Sequence, residues 1–197
     1  MNKERIDWVT ELSETYGRMV FSSAYKVLGN PQDAEDVLQE VFLKLLGGWG
    51  KRIKPDAVHN WGAYLRVTAV RCAVDLLRRK PNFRQESWDY VREIEAPGEN
   101  SPRFLASQKQ KAGFLRQALN QLPERDSKIF AMRYFEDLSY DDIAGHLKIN
   151  VNQVGVILHR TRERLKEILQ PIESSFDRQT SAAPDRSRTS EEEAYHA

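Results

Sequence analysis

The sequence predicts an all-α protein made of two small helical domains joined by a flexible linker. Apolar residues recur at spacings of three and four along most of the chain, and no segment shows sustained alternation of apolar and polar residues between hairpin turns. Residues 82–103 are acidic and contain Pro and Gly, a composition typical of linkers. With 197 residues and 40% hydrophobic content, the chain has room for two small cores.

The first domain, residues 1–81, is expected to contain three amphipathic helices, over residues 3–28, 31–46 and 61–80. Gly29 ends the first helix and Asn30-Pro31 starts the second, because Gly is favoured just after a helix and Pro in its first turn. The second helix has the most regular apolar spacing in the chain. Cys72 lies among apolar residues of the third helix and is interpreted as part of the core.

The second domain, residues 104–172, contains a helix-turn-helix pattern over residues 138–150, followed by an amphipathic segment from 151 to 169. Ser139 with Asp142 three residues later predicts a capping box, and Asn150 is placed to cap the next helix. A helix-turn-helix presents a helix to the DNA major groove, although a tight helical hairpin in any small bundle shares several of these features. The polar residues of the tail, 173–197, are expected to be disordered.

Charge is distributed in blocks that the formal net charge of +1 conceals. Residues 47–85 contain nine basic residues and two acidic ones, a local net charge of +7, which predicts a phosphate-binding surface. Residues 31–42 contain four acidic residues and no basic one. The chain is therefore expected to face more than one kind of partner.

Several classes of protein are disfavoured by the composition. The single cysteine excludes an intramolecular disulfide and a multi-thiolate zinc site. The four histidines lack metal-ligand spacing, and there is no phosphate-cradling Gly motif or nucleophile elbow, so neither enzyme, metal nor cofactor is predicted. No signal-peptide core and no apolar run of about 18 residues is present, which predicts a soluble cytoplasmic protein without membrane insertion.

Two motifs in the chain together resemble a known family. Asp33-Ala-Glu-Asp-Val-Leu-Gln-Glu-Val-Phe-Leu-Lys-Leu45, followed by Trp61-Gly-Ala-Tyr-Leu-Arg66 and Asp75-Leu-Leu-Arg-Arg79, resembles region two of the sigma-70 family, in its small extracytoplasmic-function (ECF) group. Residues 122–133, 138–144 and 158–165 resemble region four of the same group. The resemblance covers most of residues 15–170, in the same order, and implies a subunit that confers promoter recognition on bacterial RNA polymerase.

The resemblance implies that the polar edge of the second helix binds a coiled coil of the largest polymerase subunit. The residues carried over to this role are Asp33, Asp36, Gln39, Glu40 and, as a nearby apolar contact, Phe42. Carboxylates around an apolar residue suit an orientation-specific interface with a basic partner. The alternative is that acidic residues in the first turns only complement the helix dipole.

The third helix and the loop before it are implied to recognise and open the promoter element nearest the start site. Cations hold phosphates, while aromatic and polar groups hold unpaired bases. The candidate residues are Lys51, Arg52, Lys54, Asn60, Trp61, Arg71, Arg78 and Arg79. Trp61 is equally compatible with a core position, and Arg71 stands where the group usually has Asn, which puts the transfer of base contacts on this helix in doubt.

The recognition helix departs from the usual pattern of the group. The candidate contacts to the upstream element, at −35, are Asn152, Gln153, Gly155, Val156, His159, Arg160 and Arg162. Relatives usually have a cation, a small residue and an Arg where this chain has Gly155-Val156-Ile157. Gln and Asn suit adenine, Arg suits guanine or phosphate, and Val156 suits a thymine methyl group. We therefore expect a weaker, more apolar contact than is usual for the group.

The function that follows is a sigma factor with no catalysis of its own. Its implied partners are core RNA polymerase, promoter DNA and an anti-sigma protein that covers the polymerase-binding faces. The alternative is a free-standing helix-turn-helix regulator, which binds DNA without polymerase, usually as a dimer. A helical adaptor with no role at nucleic acid leaves the basic block and the helix-turn-helix unexplained.

Overall fold

A computed structural model describes residues 3–47, 53, 58–80 and 102–181, with the side chains of the last range described over 111–171. These residues form seven helices and no strand, which confirms the all-α prediction. The helices are α1 (Lys3–Leu28), α2 (Pro31–Leu46), α3 (Trp61–Arg79), α4 (Pro102–Gln121), α5 (Glu124–Tyr134), α6 (Tyr140–Leu147) and α7 (Val151–Ser181).

The first three helices form a bundle in which α1 packs against both α2 and α3. Gly29 ends α1 with a left-handed φ of 68°, and the Asn30 side chain accepts a hydrogen bond from the backbone N–H of Asp33. Glycine tolerates this backbone region without the steric cost that a Cβ adds, so the chain reverses in two residues. Cys72 is buried in the core, as expected.

The helix-turn-helix is closed by hydrogen bonds local in sequence. The Ser139 hydroxyl accepts from the Asp142 N–H at 3.0 Å while the Asp142 carboxylate accepts from the Ser139 N–H, which confirms the capping box. The Asn150 side chain accepts from the Asn152 N–H at 2.8 Å at the start of α7. Together these bonds fix the direction in which α7 leaves the turn.

The end of α7 differs from the prediction of a disordered tail from residue 173. The helix continues through Pro171 to Ser181, while 182–197 lie outside the described residues. A proline inside a helix removes one N–H donor and bends the helix but does not forbid its continuation. The apolar residues 168, 172 and 176 recur at intervals of four, a helical spacing on both sides of the proline.

The second group of helices packs against the first mainly through contacts of α3 with α5 and α4. Most of the predicted linker, residues 82–101, lies outside the described residues, and α4 begins at Pro102 instead of near Phe104. The boundaries of the two domains therefore stay a prediction. The contact between the two groups of helices is a feature that the sequence did not indicate.

Candidate binding surfaces

The outer face of α2 carries a continuous row of polar side chains with one apolar member. Asp36, Gln39 and Leu43 are exposed and Glu40 is half-buried, at spacings that place all four on one side of the helix. The Leu43 side chain is 63% exposed. Beside this row, a groove of about 700 Å³ between α1 and α2 is lined in part by Phe21, Glu35, Leu38 and Gln39. We call the four residues Asp36, Gln39, Glu40 and Leu43 the α2 face.

Two residues predicted for this surface lie inside the protein instead. Asp33 is buried and its carboxylate pairs with the Lys80 ammonium group at the end of α3, and Phe42 is only 8% exposed. Position 33 shares a helical stripe with the buried residues Val37 and Val41, so its carboxylate is turned toward α3. The apolar member of the surface is Leu43, which sequence reasoning missed although its spacing from Gln39 indicates it.

Behind the α2 face, a polar contact links α2 to α3. The Lys44 ammonium group lies 2.7 Å from the Glu40 carboxylate and 3.2 Å from the Cys72 sulfur. Burial raises the pKa of the Cys72 thiol, an effect that the neighbouring Lys44 opposes in part. Cys72 is therefore expected to be a protonated core residue.

The start of α3 shows what two of the predicted DNA contacts do in the protein. Asn60 is exposed and caps α3 by accepting a hydrogen bond from the Ala63 N–H at 2.9 Å. Trp61 is half-buried, with its ring centroid 5.1 Å from Trp8 and 5.4 Å from Tyr64, both in edge-on geometry. Trp61 therefore packs against the core while remaining half-buried, and its role in DNA binding stays a prediction. Lys51, Arg52 and Lys54 lie outside the described residues.

The three arginines predicted on α3 have different surroundings. Arg71 is exposed, and the Arg79 side chain is 63% exposed, with a long contact of 3.8 Å to Glu40. Arg78 instead donates a hydrogen bond of 2.6 Å from Nη1 to the backbone carbonyl of Leu122, at the end of the α4 segment. One predicted phosphate contact is therefore engaged by the other group of helices.

The first turns of α7 form the second exposed surface. Asn152, Gln153, Val156, His159 and Arg162 are exposed, and the Val156 side chain is 66% exposed. A groove of about 520 Å³ between α5 and α7 is lined in part by these amides and by Val156. Amide groups and an aliphatic side chain match the hydrogen-bonding edge of adenine and the methyl group of thymine. We call these five residues the α7 face.

Two other predicted DNA contacts on α7, Arg160 and Gly155, lie next to residues of neighbouring helices. Arg160 donates from Nη2 to the Asp126 carboxylate at 2.9 Å and 3.3 Å, and Asp126 is buried at the start of α5. The Arg160 side chain is still 52% exposed, so one edge of its guanidinium group reaches solvent. A Cβ built on Gly155 meets the Tyr140 ring at 3.6 Å, an ordinary contact, so the absence of a side chain is not required there.

Within the parts of the chain that the structure describes, no cluster of three or more His, Cys, Asp or Glu side chains is arranged to hold a metal ion. No helix among those residues is long and apolar enough to span a bilayer.

Comparison with known proteins identifies the class of protein. Residues 12–82 match the family model of sigma-70 region 2, and residues 115–165 match that of sigma-70 region 4. The α2 face and α3 lie in the first match and the helix-turn-helix in the second. The chain belongs to the sigma-70 family, in its ECF group.

Curated relatives agree with this assignment. The ECF RNA polymerase sigma factor SigE of Mycolicibacterium smegmatis is 28% identical over 162 residues, which cover 81% of this chain and 60% of that protein. The RNA polymerase sigma factor SigV of Bacillus subtilis is 27% identical over 161 residues, covering 80% and 86%. The RNA polymerase sigma-H factor of Pseudomonas aeruginosa is 29% identical over 170 residues, covering 78% and 86%.

Proposed function

We propose that this protein binds core RNA polymerase and directs it to start transcription at particular promoters. The observation that carries the proposal is the presence of two exposed faces of opposite chemistry, one on each of the two regions that match the family. The α2 face combines carboxylates with Leu43, and the α7 face combines amides and cations with Val156. A polypeptide that joins an enzyme to its template needs both kinds of surface.

The α2 face is the proposed contact with polymerase. Burying the exposed part of a leucine side chain contributes about 1–2 kcal/mol, and such apolar contacts dominate affinity when polar groups surround them. Asp36 and Glu40 would orient a basic partner helix by charge complementarity. The neighbouring groove, which Phe21 and Leu38 help to line, extends the apolar area available to that partner.

The α7 face is the proposed contact with the upstream promoter element. Asn152 and Gln153 are exposed in the first turn, where helix-turn-helix proteins contact base edges. Val156 lies one turn further along, exposed enough to contact a thymine methyl group. The groups available to phosphates on this surface are His159, Arg162 and the solvent-facing edge of Arg160. With so few groups, the affinity for DNA is expected to depend only modestly on salt concentration.

The proposal extends to the protein's mode of action and its regulation. The protein acts by binding and supplies no catalytic group, and it works in the cytoplasm because polymerase and the chromosome are its partners. An anti-sigma protein is the expected regulator, with the α2 face among the surfaces that it covers. A free-standing regulator is the weaker candidate, because it leaves the α2 face without a role.

Reconstituted transcription tests the proposal. Core polymerase with the full chain is expected to initiate at a defined set of sites on a genomic library, whereas core polymerase alone is not. A gel shift with promoter duplexes, with and without core polymerase, separates the two candidates. Tight promoter binding by the protein alone, together with no effect on core polymerase, would establish the free-standing regulator instead.

A further inference from the structure

The first turn of α1 contacts the end of α2. Arg5 donates from Nε and from Nη2 to the backbone carbonyl of Leu45, at 3.1 Å and 2.9 Å. Leu45 lies in the last turn of α2, and the last carbonyl groups of a helix lack an intrahelical partner and carry partial negative charge. A guanidinium group suits such a carbonyl both as a donor and as a cation. Arg5 therefore caps the C-terminal end of α2 from a different helix.

Trp8, three residues further along α1, contacts the start of α3. Its ring centroid lies 5.1 Å from that of Trp61, the first residue of α3, and the two ring planes are 74° apart. Trp61 in turn contacts Tyr64 edge-on, at 5.4 Å. Edge-to-face packing favours a definite orientation of each ring, and both tryptophans also pack against the core of the bundle. The first turn of α3 is therefore oriented by a side chain of α1.

Arg5 and Trp8 also contact each other. The guanidinium carbon of Arg5 lies 5.5 Å from the centroid of the Trp8 ring, within the range of a cation–π contact. A separation of three residues places the two side chains on the same side of the helix. The contacts of Arg5 and Trp8 therefore form a continuous path from the last turn of α2, through α1, to the first turn of α3.

A glycine lets α1 approach the start of α3 closely. A Cβ built on Gly62 would lie 3.3 Å from the Cε1 atom of Tyr16, which also belongs to α1, and this is tighter than most real Cβ contacts. The Asn60 side chain caps α3 directly before Trp61. Packing against α1 and a local cap therefore act together at the beginning of α3.

The two side chains of α1 lie outside the region that matches the family. The match to sigma-70 region 2 begins at residue 12, so Arg5 and Trp8 precede it. The residues that they contact, Leu45 and Trp61, lie inside the match. Family membership therefore assigns no role to Arg5 and Trp8, and a role for them depends on the contacts in this structure.

We propose that Arg5 and Trp8 are positioning residues for promoter opening, because they fix the start of α3 relative to the end of α2. The inference rests on the proposed function, since it takes the α2 face as the polymerase contact and the start of α3 as a contact to unpaired promoter bases. Leu43 of the α2 face lies in the same last turn as Leu45. A displacement of this turn relative to Trp61 would therefore move the DNA contact relative to the enzyme.

Positioning of this kind affects promoter opening more than it affects binding. Polymerase binding needs the α2 face, and the upstream contact needs the α7 face. Opening requires in addition that the bases leaving the duplex meet the start of α3 at the place where polymerase presents them, and a misplaced group contributes much less to such a step. A template that is already unpaired imposes less of this demand, because the energy of unpairing has been supplied in advance. Loss of Arg5 or Trp8 is therefore expected to slow opening of a duplex and to spare initiation on a premelted template.

The test uses holoenzyme reconstituted from core polymerase and the full chain, on a promoter taken from the start sites mapped with the wild type. Arg5→Met and Trp8→Leu remove the two contacts, whereas Trp8→Phe keeps an aromatic ring. Lys3→Met is the matched control, because it removes an exposed cation from the same turn of α1. The fluorescence of 2-aminopurine in the promoter element nearest the start site measures the rate of opening. A template with noncomplementary strands around the start site measures initiation without opening.

The expected results separate opening from every other step. Arg5→Met and Trp8→Leu should slow opening of the duplex by about fivefold or more. Trp8→Phe should restore most of the rate, and Lys3→Met should stay within about twofold of the wild type. All variants should bind core polymerase like the wild type and should initiate at the wild-type rate on the noncomplementary template.

Two results would overturn the positioning role. One is an opening rate in Arg5→Met and Trp8→Leu equal to that of the wild type. The other is an equal loss on both templates, which would show that the variants only lower the amount of active holoenzyme. Circular dichroism checks folding, and if either variant loses helix content, Arg5→Lys decides the test by the same comparison, since it keeps the charge without the paired donors. A wild type that starts transcription at no site would contradict the proposed function, whereas an active wild type with unaffected variants would contradict this inference alone.

Discussion

The α2 face and the α7 face resemble each other in their apolar residue and differ in the polar groups around that residue. Each exposes one aliphatic side chain on a helix, Leu43 at 63% and Val156 at 66%. Leu43 is accompanied by the carboxylates of Asp36 and Glu40, whereas Val156 is accompanied by amides and cations. The apolar areas are similar, so they do not decide the partner. The surrounding charge repels phosphate in one case and attracts it in the other.

A second difference lies in the way the two helices are held. The α2 helix takes part in the bundle core through a full stripe of buried residues, including Val37 and Val41. The start of α7 also buries an apolar stripe, which includes Val154 and Leu158, and is held in addition by local caps and by the pair of Arg160 with the buried Asp126. The position of the α7 face therefore depends on polar contacts as well as on apolar packing, so substitutions that remove a hydrogen bond or a charge are expected to affect it.

The largest expected effect is on polymerase binding, and it distinguishes the role of the α2 face from that of the α7 face. Leu43→Asp should weaken binding to core polymerase by about 2–3 kcal/mol, some 30-fold to 150-fold. The substitution replaces the apolar contact proposed for Leu43 in the complex with a charge that would lose its water on binding. Binding is measured by fluorescence polarisation of the labelled chain against core polymerase. Val156→Ala is the matched control, expected to leave polymerase binding unchanged while weakening promoter binding of the holoenzyme. Equal loss in both variants would contradict the division between the faces.

The pair of Arg160 with Asp126 gives the next effect, on stability. Arg160→Met should lower the free energy of unfolding by about 2 kcal/mol, since it leaves the Asp126 carboxylate buried without its cation, and the half-exposed arginine limits the loss to below the usual range for a fully buried pair. Urea denaturation measures the change. Arg162→Met, on the exposed side of the same helix, is expected to change stability by less than about 0.5 kcal/mol. If the two variants were equally stable, Arg160 would contribute nothing to folding stability, and its role would be limited to the proposed DNA-binding surface.

Removing the capping box at the start of α6 is expected to lower stability by a smaller amount. Ser139→Ala should cost about 1 kcal/mol, because the Asp142 N–H loses its acceptor. The hydrogen bonds from Ser139 hold the pKa of Asp142 below its usual value of 3.8. Since the folded-state pKa is the lower one, this contribution is complete above the usual value and is lost as the pH falls through the folded value. Urea denaturation at pH 7 and pH 3 should therefore show a smaller gap between wild type and variant at pH 3.

The smallest expected effect concerns salt dependence. Val156→Arg should increase the slope of log affinity against log salt concentration by about 1, because one more phosphate is neutralised at the upstream element. The slope is measured with holoenzyme on a promoter duplex between low and moderate salt. Val156→Gln, which adds length without charge, is the control. If the arginine variant keeps the wild-type slope, position 156 does not lie within reach of the promoter DNA.

Local sequence signals accounted for most of the helices. Pro31, Gly29 and Asn60 mark helix ends through backbone chemistry that acts within a few residues, and the capping box at Ser139 and Asp142 is formed as expected. Helical periodicity predicted the fold class, and the resemblance to the sigma-70 family predicted the class of protein. Whether the predicted contact residues bind polymerase or DNA stays a prediction. The structure defines the surroundings of all of them except Lys51, Arg52 and Lys54, which lie outside the described residues.

Tertiary structure decided which faces of each helix are covered by other helices. One position along a helix changes the direction of a side chain by about 100°, so Phe42 lies in the core and Leu43 on the surface although the sequence ranks both as apolar. Arg116 of α4 donates to the Val27 carbonyl at the end of α1, and the Glu136 carboxylate pairs with Lys26 and Arg66, so these contacts join residues far apart in the chain. Such contacts leave no periodic pattern in the sequence, because they depend on how the surfaces of two groups of helices fit together.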